Sequence, residues 1–379
     1  MGAGGGGRGL QNGIERRAVH EGRNDGWGAG ASGNAFPGLR GCGAGLGSRR
    51  FRNPTPKKFM KPACVLLPVL SLGAVLTMAT GQGQGDKFKI PDDQAAKIKA
   101  ALPAKTPVPV QKKHEVLVFS KTAGFRHSSI AAGVYCMKAL GEKTGLFNVT
   151  HTEDEAWFAP DKLKAFDAVI MVNTTGEIFK GSPLGEDVLK ASLVNFVKSG
   201  KGLVGMHSAT DTYSSDNPQL KWKEYNDMMG GAFESHPWGS GDTVKVRNLE
   251  PGHPLNAAFN AGGITLQDEI YKFRPTTAQP TERRMLLALD PSGTDMKKDD
   301  GNKDGMPDRN FYPIAWLSKY GEGRTFYCSL GHNEHIYWTP EVVAHYLAGI
   351  QYALGELPAD AAPKAVAMVL NDGTVVARQ

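Results

Sequence analysis

Histidine and acidic side chains follow several apolar segments of this chain, where they could do acid–base or metal chemistry. The clearest case is the stretch 201–211, KGLVGMHSATD, in which His207 directly follows the apolar run 203–206. In an α/β sheet, a strand that ends abruptly places its next side chain above the carboxyl edge, where ligands bind. Gly205 and Ala209 allow the backbone to turn sharply around that side chain, as in a nucleophile elbow. The stretch therefore predicts that His207 is exposed at the floor of a site.

Five further polar segments could meet His207 at the same edge of the sheet. They are residues 126–128, 173–177, 234–237, 268–271 and 331–335. Imidazoles and carboxylates gathered at one edge could act as general acids and bases or hold a metal ion. We expect catalysis by His207, His127, Asp211 and Glu269, substrate binding by Arg126, Ser208, Glu177 and Trp238, and metal ligation by His236 and His332.

Each of these residues also has a purely structural interpretation. His207 could be a hydrogen-bonded core histidine, and His127 could simply cap the helix that follows it. Isolated acids such as Asp211 are often solvated. Zinc or a similar divalent ion is a candidate for the histidines, although the chain has no compact ligand motif such as HExxH. Residue type alone therefore leaves the chemistry open.

A separate acidic loop at 300–305, DGNKDG, is similar to the start of a calcium-binding loop. Asp300, Asn302 and Asp304 would supply oxygen ligands, as in an EF-hand. The acid expected at the twelfth position is Phe311, and no clear helices flank the loop. A solvated turn is the competing interpretation, and calcium is a weak candidate.

Alternating strands and helices must position these residues. Apolar runs predict strands at 114–119, 148–151, 167–173 and 202–206, and apolar residues at helical spacing predict helices near 130–140 and 184–198. This alternation is typical of a doubly wound α/β fold with a mostly parallel sheet. Later segments predict an antiparallel extension with strands at 243–247, 264–273, 285–289, 314–318 and 324–329, and helices over 219–229 and 340–354.

The amino-terminal part differs in composition from the rest. Residues 1–59 are rich in Gly and Arg and lack an apolar period, so we expect them to be disordered. We also expect that translation starts at Met60 and that residues 1–59 are a mis-called extension of the reading frame. Residues 60–81 are similar to a secretory signal peptide, with a retained membrane anchor as the alternative. We therefore expect an exported protein, periplasmic or extracellular, that contacts a membrane only through this segment. The remaining divisions are a polar, proline-bearing linker at 82–112, a single α/β domain at 113–357 and a tail at 358–379.

Charge and cysteine content narrow the partners and the chemistry. Of the 44 basic and 38 acidic residues, ten and three lie in 1–60, which leaves 34 basic against 35 acidic residues. The excess of positive charge thus belongs to the amino terminus. No interleaved basic and aromatic patch is present, so nucleic acid is not an expected partner. Cys136 and Cys328 both lie in apolar patterns, which favours buried thiols over a disulfide.

Six motifs of the chain resemble the trehalose-utilisation, or ThuA-like, family. They are GFRHSSI at 124–130, GLVGMHSATD at 202–211, ESHPW at 234–238, GHP at 252–254, QDEIY at 267–271, and PIAW with GEGRTFYCSLGH ending at 332. The resemblance spans roughly 113–354 and implies a class I glutamine-amidotransferase-like, flavodoxin-like fold and a link to disaccharide and 3-keto-sugar metabolism. The wider superfamily carries a nucleophilic cysteine at the elbow, where this chain has His207. Glutamine amidotransferase chemistry through a thiolate is therefore not expected.

Two functional hypotheses remain open. The first is an exported enzyme that acts on a small-molecule sugar, trehalose or a 3-keto-glycoside, by histidine-based acid–base or metal-assisted chemistry. The second is a non-catalytic carbohydrate-binding or assembly domain that keeps the fold without its nucleophile. A homo-oligomer is compatible with either. The clustering of polar residues after the strands favours the first hypothesis.

Overall fold

The computed structural model describes residues 87–214, 221–299, 311–369 and 375–378, which form six α-helices and thirteen strands. The helices are α1 (Asp92–Ala101), α2 (Ile130–Thr144), α3 (Pro160–Leu163), α4 (Glu186–Lys198), α5 (Lys223–Met229) and α6 (Pro340–Ala353). The strands are β1 (His114–Phe119), β2 (Phe147–Thr152), β3 (Ala168–Val172), β4 (Gly202–Met206), β5 (Phe233–Trp238), β6 (Thr243–Asn248), β7 (Ile264–Gln267), β8 (Ile270–Phe273), β9 (Arg284–Leu289), β10 (Pro313–Tyr320), β11 (Gly323–Cys328), β12 (Val366–Val369) and β13 (Val375–Arg378).

One large sheet organises the domain. Its nine strands run in the order β2-β1-β3-β4-β11-β10-β9-β6-β7. Pairing is parallel from β2 to β11 and antiparallel from β11 to β7. Strands β5 and β8 form a separate antiparallel pair. These pairings confirm the predicted α/β fold, with a mostly parallel sheet and an antiparallel extension.

Side chains of the parallel strands alternate between two cores. Val116 and Val118 of β1 belong to the core that contains α2 and α6, whereas Leu117 and Phe119 belong to the core that contains α4 and α5. Every residue of β3 and β4 is buried. Strands covered by helices on both faces have no solvent side, which explains why their sequences are continuous apolar runs.

The register of the sheet brings the ends of its central strands to one level. Val172 of β3 and Cys328 of β11 both pair with Met206, the last residue of β4. Asn173 and His207, which follow β3 and β4, therefore lie at the carboxyl edge of the sheet. Both have left-handed backbones, with φ of 49° and 46°, a conformation that non-glycine residues adopt mainly where surrounding contacts enforce it. The predicted sharp turn after β4 is thus present.

The predicted single strand over 264–273 is wrong, because the structure divides it in two. Strand β7 lies at the edge of the large sheet, and β8 pairs with β5. Asp268 and Glu269 separate the two strands, and both side chains are buried. Buried carboxylates need polar partners. Asp268 and Glu269 find theirs outside the hydrogen-bond ladder of the sheet, and the strand is interrupted at these two residues.

The described part of the predicted linker packs on the domain. Ile98 of α1 is 0% exposed and belongs to the same core as α2 and α6. Further along the segment, Gln351 Nε2 of α6 donates a hydrogen bond to the carbonyl oxygen of Val108 at 2.8 Å. Residues 87–112 are therefore part of the folded unit and do not act as a spacer.

Two further predictions concern the thiols and the tail. Cys136 and Cys328 are buried and free, as predicted. In the predicted tail, β12 and β13 pair with each other as an antiparallel hairpin that is separate from the large sheet.

Some predictions fall where the structure gives no description. These are the extension 1–59, the signal segment 60–81, and the calcium-loop residues Asp300, Asn302 and Asp304. Among the helices of the described ranges, none has the length and apolar character needed to cross a bilayer.

Candidate metal centre

Three histidines and one glutamate meet at the carboxyl edge of the parallel strands. Ligand atoms of His127, His207, Glu269 and His332 all lie within 4.8 Å of one another. His127 lies in the loop between β1 and α2, and His207 begins the 3₁₀ helix that follows β4. Glu269 lies between β7 and β8, and His332 follows β11. Four loops that are distant in sequence thus supply one donor each to what we call the His–Glu cluster.

His207 occupies the centre of the His–Glu cluster. Its Nε2 lies 3.1 Å from Nε2 of His127 and 3.7 Å from Oε1 of Glu269. Its Nδ1 lies 2.8 Å from the carbonyl oxygen of Ser329. Because a carbonyl can only accept, Nδ1 carries the proton, and Nε2 of the neutral ring presents its lone pair to the cluster. A carbonyl behind the ring orients histidine ligands in this way in many metal sites.

The prediction that His207 is exposed at the turn is wrong. Its side chain is 0% exposed. The rings of His127 and Tyr271 pack against it, each with its centroid 4.6 Å from that of His207. The turn has the expected sharpness, but loops from other parts of the chain close over it.

Glu269 connects the inner histidines with the surface. Its Oε1 lies 3.2 Å from Nδ1 of His332, and its Oε2 lies 3.4 Å from Nδ1 of His236. The His236 side chain is about half exposed. His236 therefore stands at the rim of the His–Glu cluster and contacts it through the second carboxylate oxygen.

Burial and neighbouring charges set the protonation of the cluster. Burial, with the nearby charge of His332, lowers the pKa of His127 to about 4. Burial also holds the pKa of His207 well below its usual value. Burial lowers the pKa of His332 as well, but the interaction with Glu269 outweighs it, so the net shift is upward. Two of the three imidazoles are therefore neutral at neutral pH, which is the form that binds a metal ion.

Comparison with known proteins identifies the family. The sequence profile of the ThuA family, described as trehalose utilisation, matches residues 115–353. The chain belongs to the ThuA family. All four residues of the His–Glu cluster lie within the matched range.

Two solved structures that resemble this chain are described as ThuA-like proteins. One, from Bacteroides uniformis ATCC 8492, is 20% identical with a TM-score of 0.49, and the match covers 63% of this chain and 91% of that one. Another, from Parabacteroides merdae ATCC 43184, is 17% identical with a TM-score of 0.46, and the match covers 70% of this chain and 98% of that one. No curated protein matches the chain.

Asp268 was not predicted as a site residue, yet it holds the loop of the ThuA-family domain that carries His332. Its Oδ2 accepts a hydrogen bond from the backbone N–H of Gly331 at 2.7 Å, and its Oδ1 accepts one from that of Asn333 at 2.9 Å. Burial raises the pKa of Asp268 to about 7, although these two backbone bonds act in the opposite direction. The sequence signal that could have identified Asp268 is the pair of acidic residues at 268–269 within an apolar pattern.

Four more residues predicted to form the site lie around the His–Glu cluster or away from it. Ser208 Oγ lies 3.3 Å from Nδ1 of His127 and supports that ring. Arg126 forms an ion pair with Glu153 at 2.8 Å. Asp211 and Glu177 line a neighbouring cleft of about 550 Å³. The candidate site therefore has two parts, the cluster and this cleft, and the loop 123–127 contributes to both.

Trp238 cannot take the substrate-binding role predicted for it. Its ring is fully buried, and its Nε1 donates a hydrogen bond to the carbonyl oxygen of Asp295 at 3.0 Å. The edge of the ring packs against Tyr312. Trp238 is therefore a core residue of the antiparallel half.

Proposed function

We propose that this ThuA-family domain binds zinc or a similar divalent ion at the His–Glu cluster and uses it to act on a sugar. The convergence of four donor atoms within 4.8 Å carries the proposal. Three imidazole nitrogens and one carboxylate oxygen suit zinc and neighbouring first-row ions. Nitrogens bound to a tetrahedral zinc at about 2.0–2.1 Å lie roughly 3.4 Å apart, and Nε2 of His127 and Nε2 of His207 are 3.1 Å apart.

The surrounding residues support a chemical role for such an ion. When bound, a divalent ion can polarise a carbonyl or activate water at neutral pH. Glu269 would balance part of its charge, and the Ser329 carbonyl would keep the His207 ring oriented. His236, half exposed and 3.4 Å from Glu269, is available to move a proton between substrate and solvent. The sugar class comes from the family, whose description is trehalose utilisation.

Metal content tests the first half of this proposal. The protein is purified without chelator, and its metal is measured by mass spectrometry for the wild type, Glu269→Gln and Glu186→Gln. Glu186 is the matched control because its carboxylate pairs with Lys190 on α4, at 2.6 Å. We expect about one equivalent of ion in the wild type and the control, and loss of the ion in Glu269→Gln. An absence of divalent ion from the wild type, even after reconstitution, would refute the metal site.

Turnover tests the second half. Trehalose and 3-keto-glycosides are incubated with the metal-loaded wild type and with Glu269→Gln, and products are followed by chromatography. The proposal expects turnover by the wild type and its loss in the variant. Sugar binding without turnover by the metal-loaded wild type would instead support a non-catalytic carbohydrate-binding domain.

Export is a separate proposal, supported by Lys61 and the apolar run that follows it in the segment 60–81. Amino-terminal sequencing of the protein isolated from its native host tests it. A mature terminus shortly after the segment is the expected result. Peptides from 1–59 in the native protein would contradict both the start at Met60 and the cleavage.

A further inference from the structure

An aromatic ring stands exposed beside the His–Glu cluster. Phe125 is 65% exposed, and within the described residues the other large apolar side chains that are exposed are Leu184 and Val188. Its ring packs edge-on against His127, with centroids 4.8 Å apart. Single apolar side chains at a protein surface are common, but this exposed ring lies directly against a histidine of the His–Glu cluster.

The loop that carries Phe125 is held in place by its neighbour. Thr175 Oγ1 donates a hydrogen bond to the carbonyl oxygen of Phe125 at 2.8 Å, and the Thr175 carbonyl accepts one from Ala123 N–H at 2.8 Å. Gly176 has φ of +70°, and a Cβ there would lie 2.8 Å from the carbonyl carbon of Ala123. Only a glycine allows the two loops to pack this closely. Phe125 is therefore presented on a fixed backbone.

The same loop contributes to the cleft of about 550 Å³. Ala123 and Gly124 line one wall, and Asp211 and Glu177 supply carboxylates. This volume lies within the range of small-molecule sites, about 300–1,000 Å³. The loop 123–127 thus borders both the cleft and the His–Glu cluster.

Each lysine that lines the cleft forms an ion pair. Lys180 and Lys221 both pair with Glu177, at 3.2 Å and 2.5 Å. Lys121, the third lysine of the cleft, pairs with Glu155 at 2.6 Å. Paired charges offer many hydrogen-bond donors and acceptors without a strong net field, which suits a neutral polyhydroxyl ligand better than a phosphate.

We propose that the cleft and Phe125 together bind a neutral mono- or disaccharide. The apolar face of one sugar ring stacks on Phe125 next to the His–Glu cluster, while hydroxyl groups bond to Asp211 and to the ion pairs of Glu177 in the cleft. This inference rests on the proposed sugar function and adds the residue on which the sugar ring stacks.

Calorimetric titration tests the assignment on metal-loaded protein. The probes are glucose, trehalose, maltose and sucrose, with trehalose 6-phosphate as the charged analogue. We expect at least one neutral sugar to bind the wild type, and Phe125→Ala to weaken that binding by about three- to tenfold because it removes the stacking surface. Phe125→Trp retains the surface and should retain the affinity.

Leu184→Ala is the matched control, since Leu184 is also an exposed apolar residue and is not among the cleft residues. It should bind sugar like the wild type. The metal content of Phe125→Ala must equal that of the wild type, which separates loss of stacking from damage to His127. Unchanged sugar affinity in Phe125→Ala would overturn the inference, as would metal-loaded wild type that binds none of the sugars. Either result would leave the metal site standing. Tenfold tighter binding of the phosphorylated sugar would overturn the neutral-ligand assignment.

Discussion

At the scale of single residues, the orientation of two imidazoles decides what the site can hold. The Ser329 carbonyl sets the proton of His207 on Nδ1, so its Nε2 is a ready donor. His127 has a weaker support, the hydroxyl of Ser208 at 3.3 Å from Nδ1. Groups behind a ligand commonly contribute tenfold or more to metal affinity, and Ser208 is therefore a sensitive position for a test.

We expect Ser208→Ala to weaken zinc binding by about tenfold, because the His127 ring loses the partner that fixes its orientation. Competition with a chromophoric chelator measures the change. Ser199→Ala is the control, since the Ser199 hydroxyl bonds to the carbonyl oxygen of Phe196 at the end of α4. Equal zinc affinities in the wild type and Ser208→Ala would show that Ser208 has no part in orienting His127.

At the scale of elements, the site depends on a link between the β7–β8 turn and the loop after β11. Asp268 accepts hydrogen bonds from two backbone N–H groups of that loop, at Gly331 and Asn333. The carboxylate is fully buried, so these bonds have no competition from water. The adjacent Glu269 is thereby held against His332, and one dipeptide serves both the loop and the His–Glu cluster.

Asp268→Asn should lower the free energy of unfolding by about 1–3 kcal/mol. The side-chain NH₂ group of Asn is a donor, and it would face a backbone N–H that is also a donor. It should also weaken metal binding, since the His332 loop loses an anchor. Urea unfolding and chelator competition measure the two effects. Asp154→Asn is the control, as Asp154 caps Ala156 N–H at a surface turn and Asn caps equally well. Wild-type values for both quantities in Asp268→Asn would contradict this role.

At the scale of the whole molecule, a buried histidine outside the site ties stability to pH. His345 of α6 is fully buried, and its Nδ1 lies 2.7 Å from the carbonyl oxygen of Leu255. Burial lowers the pKa of His345 to about 4. The unfolded chain binds a proton near pH 6.5 and the folded protein does not, so this contribution to stability is complete above about pH 6.5 and is lost as the pH falls toward 4.

We therefore expect the free energy of unfolding to fall by about 1.4 kcal/mol per pH unit for this group between pH 6.5 and 4. His345→Gln should be less stable at pH 7.5 but lose about 2 kcal/mol less than the wild type on transfer to pH 5. Urea unfolding at pH 7.5 and at pH 5 measures this difference in stability. Phe259→Leu, which alters a ring packed on His345, should weaken the protein equally at both pH values. A wild-type pH dependence in His345→Gln would refute the assignment.

The fold could be predicted because short stretches of sequence indicate its strands, helices and turns. Apolar runs marked β1, β3 and β4, and the small residues Gly205 and Ala209 predicted the sharp turn at His207. The burial of His207 could not be predicted, because the loops that cover it lie far away in the sequence. Ile98 was missed for the same reason, since it lies in a polar helix whose packing surface is formed elsewhere.

The candidate site was predicted in outline but not in its boundaries. The four residues of the His–Glu cluster were all singled out from residue type and position after apolar runs. The roles within the set depend on distances that spacing does not give, which is why His236 lies at the rim. Trp238 and Phe125 show the same limit of sequence-based prediction. Trp238 lies beside polar residues in the sequence but is buried in the fold, whereas Phe125 is exposed.

The first and last donors of the His–Glu cluster lie far apart along the domain. His127 precedes α2, and His332 follows β11, the strand that pairs with β4 in the middle of the sheet. An ion held between them would act as a cross-link that closes most of the chain into a loop, and such closures restrict the unfolded state more than short ones. Chelation would then loosen the first βα unit and β11 together, so metal supply would govern the lifetime of the protein as well as its chemistry.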